Sequence, residues 1–191
     1  MKKTVDMERN IRAISAKIVK KLTKKNKKLV FAESCTGGMA ASSIVAVDGA
    51  SAVLSGGIIA YTPKAKENWL GVSKKTMKKY GLVSPQTAKE MARGALLKSG
   101  ADYAVSFTGL AGSNNDGKVQ LKPEIRDSNA SEKKLKKNPD AFKPTGLVYI
   151  AVARKNKKRI FTVELKLTGD RNTVRKKAVL AGLYVLYRII L

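Results

Sequence analysis

The clearest chemical feature of the sequence is a short turn that carries two hydroxyls and a thiol. Ser34, Cys35 and Thr36 follow an apolar run ending at Ala32, which predicts a buried strand, and precede small residues at helical spacing after Gly38. A strand–turn–helix of this kind gathers unpaired backbone N–H groups and the positive end of the helix dipole. An anion or a developing oxyanion would be stabilised there, beside an exposed nucleophile. The alternative is a simple turn in which a hydroxyl caps the helix.

Histidine is absent from the chain, and this restricts the chemistry. A Ser-His-Asp triad, a Cys-His dyad and a zinc site with histidine ligands are all excluded within these residues. A metal would need carboxylates alone, and the chain holds 14 Asp and Glu. A nucleophile must therefore be activated by a lysine, a tyrosine, a carboxylate or a helix dipole.

The length of 191 residues fits one domain with a sizeable core. No apolar run approaches the roughly 18–20 residues of a membrane span, and the basic N-terminus is not followed by the apolar segment of a signal peptide. A single cysteine cannot form an internal disulfide. We expect a cytoplasmic protein without a membrane partner.

The net charge of +25 raises the possibility of a nucleic-acid partner. The charge is uneven: residues 1–30 carry +9, residues 31–117 carry +3 and residues 118–191 carry +13. The segment with the best motifs is thus nearly balanced, and few aromatic residues accompany the lysines to stack on bases. The sequence therefore does not favour nucleic acid as a partner, because lysines that are simply exposed to solvent explain the charge equally well.

Apolar periodicity predicts alternating helices and strands that end in a β-hairpin. The expected helices are 7–25, 39–47, one from Pro63, 74–80, 85–99 and a last one after 171, and the expected strands are 29–32, 52–54, 57–61, 102–108, 146–152 and 160–167. This order predicts a three-layer α/β/α sandwich with a mixed, mostly parallel sheet. We expect the last helix to bury Val174, Ala178, Ala181, Val185, Leu186 and Ile189.

Residues 113–143 interrupt this pattern, because Asn, Asp, Ser, Lys and Pro dominate and apolar periodicity is absent. A structureless stretch of this length is unusual inside a compact domain. We therefore predict a flexible, lysine-rich insertion within a single domain that covers residues 1–191.

Six motifs, taken together and in order, resemble one family. They are Ala32–Gly38, Gly57–Tyr61 with Ala65-Lys66, Leu70–Val72, Gly81–Ser84, Thr108–Gly112 and Gly169–Arg171. In this order they are similar to the CinA C-terminal domain, whose stand-alone members are nicotinamide mononucleotide amidohydrolases. The resemblance covers nearly the whole chain except the insertion. It implies an α/β/α fold, a homodimer or a higher homo-oligomer, and release of ammonia from the substrate carboxamide to give nicotinate mononucleotide, with no metal or other cofactor.

The resemblance also implies roles for individual residues. Ser34 matches the family nucleophile and Lys66 the family lysine, which would act as the base once its pKa falls towards neutrality. Tyr61 would relay the proton or hold the other two in register. Thr108 would hydrogen-bond the substrate or the nucleophile, and Arg171 would contact the substrate phosphate.

Six further residues are expected to bind substrate: Glu33, Cys35, Thr36, Gly37, Gly38 and Gly109. Backbone amides of residues 34–38 would bind the oxyanion. Alternatives remain open at this point: Lys66 as a surface charge, Tyr61 as a packing residue, and Arg171 as a partner of Asp170. Glu33 would orient either Ser34 or a substrate hydroxyl.

The chain departs from the family in the loop that follows Gly112. Family members commonly have a short glycine- and proline-rich loop there, whereas this chain begins its long insertion at Ser113 and regains the pattern at Lys143–Gly146. If the loop lines the pocket, the substrate preference differs. Two alternatives to the amidohydrolase are therefore a related hydrolase with another substrate, and a non-catalytic protein of competence or DNA-damage response that binds nucleic acid.

Overall fold

The structure is a computed structural model that describes residues 2–112, 138–141 and 143–191. Its elements in chain order are α1 (Lys2–Lys24), β1 (Leu29–Glu33), α2 (Met39–Val45), a 3-10 turn (Ala50–Ala52), β2 (Leu54–Ile59), α3 (Pro63–Leu70), α4 (Lys74–Tyr80), α5 (Pro85–Ser99), β3 (Tyr103–Gly109), β4 (Leu147–Arg154), β5 (Phe161–Lys166) and α6 (Arg171–Ile190). Most of the predicted insertion, residues 113–137 and 142, lies outside the described residues.

The described strands form one mixed sheet in the order β2-β1-β3-β4-β5. β1 pairs in parallel with β2 and β3, whereas β4 is antiparallel to both β3 and β5. Four of these five strands therefore point the same way. Helices α1, α2 and α6 pack on one face of the sheet, and α3, α4 and α5 form the layer on the other. The predicted three-layer α/β/α architecture with a mixed sheet and a late hairpin is confirmed.

The two faces of the sheet differ in side-chain size. Because side chains alternate along a strand, large residues such as Phe31, Phe107 and Ile150 face α1 and α6. The opposite face presents small residues, among them Ala32, Ala104 and Ala151. Small side chains let α5 lie close to the sheet. This close packing fixes the layer that carries α3.

Two local predictions are wrong. Residues 52–54 do not form a separate strand, because Gly49, with a φ of 80°, starts the 3-10 turn and sheet pairing begins only at Leu54. On α6, Ala181, Val185 and Ile189 are only partly buried. The residues buried in their place are Val179, Gly182, Leu183 and Ile190. The shift follows from Gly182, since a β-carbon there would lie 2.4 Å from the Phe107 ring. Because Gly182 has no side chain, α6 can approach the Phe107 ring of the sheet at this position.

The α3–α5 contact depends on Gly94, which sits against the last carbonyl of α3. A β-carbon at Gly94 would lie 1.7 Å from the Leu70 carbonyl oxygen. In an open helix Gly→Ala is favourable by about 1 kcal/mol, but overpacking of this kind costs about 1–3 kcal/mol or more. We expect Gly94→Ala to lower the free energy of unfolding by about 2 kcal/mol, measured by urea denaturation.

The matched control on the same helix is Leu97→Ala, because Leu97 is 77% exposed. This change should alter the free energy of unfolding by less than about 0.5 kcal/mol. A Gly94→Ala protein that is as stable as the wild type, or more so, would contradict the close contact between the two helices.

Candidate active site

The centre of the candidate site is a direct contact between a lysine amine and a serine hydroxyl. Lys66 Nζ lies 2.8 Å from Ser34 Oγ and 2.8 Å from the carbonyl oxygen of Ala60. Lys66 is 1% exposed and Ser34 is 7% exposed, so water has little access to either group. The structure thus brings together the predicted nucleophile and the predicted base without an intermediary.

The local sequence explains how α3 delivers this amine. Thr62 caps α3 by accepting a hydrogen bond from Ala65 N at 3.1 Å, and Pro63 occupies the first turn, where its missing N–H has no cost. Lys66 and Leu70 are four residues apart and are the buried positions of this helix. The lysine therefore projects from the apolar face of α3, where an ordinary sequence would place another apolar residue.

Burial sets the charge state of the groups around the pair. Desolvation lowers the pKa of Lys66 from 10.5 to about 8, although electrostatic interactions with Cys35 and Asp140 oppose the shift. Burial raises the pKa of the Cys35 thiol to about 11. A neutral amine is consequently accessible near physiological pH, and the thiol stays protonated. Of the two neighbouring nucleophiles, the hydroxyl is the one with a base in reach.

Glu33 contributes to this site from the other face of the sheet. Its fully buried carboxylate accepts hydrogen bonds from the N–H groups of Gly38, Ala40 and Ala41 at 2.9–3.2 Å. Since side chains alternate, Glu33 and Ser34 point to opposite faces, which the period of two could have revealed. Glu33 therefore caps α2 and contacts neither the hydroxyl nor the cavity, contrary to the expected substrate contact.

The turn retains two free amides after these bonds are made. Ser34 N donates to the Phe107 carbonyl and Gly37 N to the Ser34 carbonyl. Within the part of the chain that the structure describes, Cys35 N and Thr36 N donate no hydrogen bond to another residue. Of the predicted oxyanion donors at 34–38, these two have no partner among the described residues, although Thr36 is fully buried.

A guanidinium that sequence reasoning missed holds this turn from outside. Arg175 donates to the Thr36 carbonyl at 2.8 Å and to Asn172 Oδ1 at 3.1 Å. Gly37, with a φ of 61°, lies directly beneath it. Arg175 is one helical turn beyond Arg171, so its i+4 spacing was a signal that could have found it.

A cavity of about 430 Å³ opens beside the pair, within the range of small-molecule sites. The predicted residues that line it are Ser34, Cys35, Tyr61, Lys66, Thr108, Gly109 and Arg171. The cavity lining does not include Glu33, Thr36, Gly37 or Gly38. Residues that line it and were not predicted are Leu82, Val83, Leu110, Ala111, Gly112, Asn138, Asp140 and Thr145.

The mouth of the cavity carries Tyr61 and Arg171. The Arg171 guanidinium donates to Tyr61 Oη at 2.9 Å, and Tyr61 is 58% exposed. Asp170 is engaged elsewhere, as the N-cap of α6, where it accepts from Thr173 N at 2.8 Å. Tyr61 therefore orients an arginine at the mouth, and the Ser34–Lys66 contact does not pass through it.

One wall of the cavity, residues 80–83, has its backbone polar groups paired. Thr108 donates to the Leu82 carbonyl at 2.7 Å, and the Thr87 hydroxyl donates to the Gly81 carbonyl at 2.7 Å. Asp140 accepts from the N–H groups of Leu82 and Val83. The backbone polar groups of this wall are thus already engaged, and its two residues that line the cavity, Leu82 and Val83, are apolar.

Lys143 completes this wall from the segment that precedes β4. Its ammonium donates to the carbonyls of Tyr80 and Val83 and to Asp140 Oδ1, at 2.6–2.8 Å. Residues 138–141 and 143 were expected to belong to the flexible insertion. No sequence signal pointed to Asp140, because it lies in a stretch without apolar periodicity.

Two absences apply to the described residues only. No group of three or more Cys, Asp or Glu side chains in ranges 2–112, 138–141 and 143–191 is arranged to hold a metal ion. Over the same residues, no helix is both long enough and apolar enough to cross a bilayer.

The fold and the site together define the class of the protein: an α/β/α domain with a buried Ser–Lys pair beside a cavity. The CinA C-terminal domain family matches residues 11–121 and 137–190. The chain belongs to this family, as the six motifs predicted.

Relatives of known sequence and structure agree with this assignment. A Thermoanaerobacter pseudethanolicus protein named as competence-damage inducible is 38% identical over 97% of this chain, and a CinA-like protein of Kosmotoga olearia is 38% identical over 91%. A crystal structure of a competence/damage inducible protein from Agrobacterium tumefaciens has a TM-score of 0.78 and 31% identity over 94% of this chain and 95% of that one.

A second solved structure, a competence or damage-inducible protein from Enterobacter asburiae, has a TM-score of 0.79 and 25% identity over 95% of this chain and 98% of that one. The sequence relatives are longer: this chain spans 42% of the Thermoanaerobacter protein and 36% of the Kosmotoga protein.

The pKa of Lys66 makes stability depend on pH. Between about pH 8 and 10.5 the unfolded chain keeps the Lys66 proton and the folded protein has lost it, so wild-type stability rises with pH. Lys66→Met has no such titration. We therefore expect the free energy of unfolding of Lys66→Met, relative to that of the wild type, to fall by about 2–3 kcal/mol between about pH 7 and 10, measured by urea denaturation.

Lys64→Met is the matched control, because Lys64 lies exposed on the same helix. It removes an equal charge without touching the buried amine. If the two variants show the same dependence on pH, the desolvated amine is not the cause.

Proposed function

We propose that the chain is an amidohydrolase that converts nicotinamide mononucleotide to nicotinate mononucleotide and ammonia, with Ser34 as nucleophile and Lys66 as base. The observation that carries this proposal is the 2.8 Å contact between Lys66 Nζ and Ser34 Oγ, made by an amine whose pKa burial lowers to about 8. Family membership supports the same reading, because the motifs that carry it include both residues.

The acylation half of the reaction needs three groups. Neutral Lys66 accepts the Ser34 proton while Oγ attacks the carboxamide carbon, which forms a C–O bond and places negative charge on the carbonyl oxygen. The backbone amide of Cys35, a residue that lines the cavity, is the donor for that oxyanion, and such a donor typically contributes ~3–4 kcal/mol. Lys66 then returns its proton to nitrogen, the C–N bond breaks, and ammonia leaves an ester on Ser34.

In the deacylation half, water takes the place of Ser34 as the nucleophile. Lys66, neutral again, takes a proton from water while the water oxygen attacks the ester carbon. Collapse of the second oxyanion breaks the bond between that carbon and Ser34 Oγ, the Ser34 oxygen regains its proton from Lys66, and the product leaves as the carboxylic acid, which loses its proton to the released ammonia. The Ala60 carbonyl accepts a hydrogen bond from Nζ throughout, which keeps the amine aimed at Oγ.

The rest of the cavity suits the two ends of this substrate. Leu82, Val83 and Leu110 offer an apolar wall for the pyridine ring. Arg171, already oriented by Tyr61 at the mouth, offers a guanidinium for the phosphate.

The direct test is release of ammonia from nicotinamide mononucleotide. We expect Ser34→Ala and Lys66→Met each to lower kcat at least about 10³-fold, because the two side chains act as one unit. The rate of the wild type should rise with pH through about 8, as Lys66 loses its proton.

The controls are Ser42→Ala and Lys64→Met, which remove the same groups from exposed positions on α2 and α3. Both should keep the wild-type rate. Cys35→Ala separates the thiol from the hydroxyl: an active Ser34→Ala protein together with an inactive Cys35→Ala protein would overturn the assignment.

Arg171→Met tests the phosphate contact. A charge-assisted hydrogen bond to phosphate is worth about 1.5–3 kcal/mol, so we expect KM for nicotinamide mononucleotide to rise about 10–100-fold with little change in kcat. The kinetic constants for nicotinamide riboside, which lacks the phosphate, should not change. An equal loss with both substrates would show that Arg171 acts on the site as a whole.

A further inference from the structure

Two basic clefts flank the connection between β4 and β5, away from the cavity. The first, of about 250 Å³, is lined by Lys27, Asp102, Tyr103, Arg154, Lys155, Asn156 and Lys157. The second, of about 460 Å³, is lined by Gln86, Lys89, Glu90, Arg93, Lys158, Arg159 and Ile160. We call the eight basic residues of these clefts the basic band: Lys27, Lys89, Arg93, Arg154, Lys155, Lys157, Lys158 and Arg159.

Hydrogen bonds hold the two sides of the first cleft together. Asp102 accepts from Lys27 Nζ and Lys28 N at 2.9 Å, while its carbonyl accepts from Lys155 N at 2.8 Å. Segments that are far apart in sequence thus bring their lysines to one place. Five residues of the basic band lie in the segment 154–159, and the fold adds Lys27, Lys89 and Arg93 from distant parts of the sequence.

The acidic residues of the clefts leave most of this charge unbalanced. Asp102 is paired with Lys27, and both carboxylate oxygens of Glu90 accept hydrogen bonds, from Ser73 N at 2.8 Å and from the Thr76 hydroxyl at 2.6 Å. Among the described residues that line the clefts, eight basic side chains therefore stand against two carboxylates. Such crowding raises mutual repulsion, which an anionic partner relieves.

We propose that the basic band binds the phosphate backbone of nucleic acid, independently of base sequence. A chain of phosphates carries closely spaced charge that can follow both clefts around the β4–β5 connection. The band and the candidate active site use different residues, so this proposal stands apart from the proposed amidohydrolase.

The test compares two triple variants that lose the same charge. Lys155→Gln, Lys157→Gln and Lys158→Gln remove three exposed lysines of the basic band; Arg9→Gln, Arg12→Gln and Lys17→Gln remove three exposed cations from α1, on the opposite face of the sheet. Binding to a fluorescein-labelled DNA duplex of about 20 base pairs is followed by anisotropy between about 50 and 200 mM KCl.

We expect the wild type to bind two duplexes of unrelated sequence equally, with affinity that falls steeply with salt. The slope of log K against log[salt] should become shallower by about 2.7 in the basic-band variant, which corresponds to three lost phosphate contacts, and should not change in the α1 variant. Thermal unfolding midpoints establish that both variants are folded.

Equal weakening in the two variants would overturn the proposal, because it would show that the lysines act as a diffuse coat. Absence of salt-dependent binding by the wild type would also overturn it, as would binding to phosphatidylglycerol vesicles without binding to either duplex.

Discussion

Removal of one lysine amine from water is the constraint around which the site is built. Lys66 Nζ has two short hydrogen-bond partners, and its burial is what lowers its pKa to about 8. A buried amine must be held firmly, because a small displacement would leave it unpaired. The cap at Thr62 and the bare backbone of Gly94 both fix the helix that carries it. The contacts that fix α3 therefore also fix the position of the amine.

Successive side chains at the end of β1 point to opposite faces of the sheet, so neighbouring residues make different contacts. Glu33 points to the face with α2 and takes its unpaired amides, while Ser34 turns towards Lys66 on the face with α3. Because the carboxylate satisfies the first turn of α2, the amides of the turn that have no partner among the described residues belong to Cys35 and Thr36. Of these two residues, Cys35 lines the cavity beside the Ser34 hydroxyl.

Much of this arrangement was predictable from the sequence, and the remainder was not for identifiable reasons. Apolar periodicity and the six motifs predicted the fold; the lack of histidine left lysine among the candidate bases, and the family resemblance singled out Lys66. The misassigned face of α6 follows from Gly182, whose contact with Phe107 is tertiary and leaves no periodic signal. Asp140 and Lys143 act through long-range hydrogen bonds, which composition cannot reveal.

The cavity wall at residues 80–83, whose backbone polar groups are paired, affects which ligands the cavity can distinguish. Its carbonyls and amides are already engaged, so Leu82 and Val83 meet a ligand through dispersion and shape alone. Surfaces of this kind separate ligands that differ by one methylene by only about 1–3 kcal/mol, whereas sites with unpaired polar groups discriminate far more sharply. A cavity with such a wall would distinguish ring analogues only weakly, so its selectivity would depend on the polar groups at its mouth.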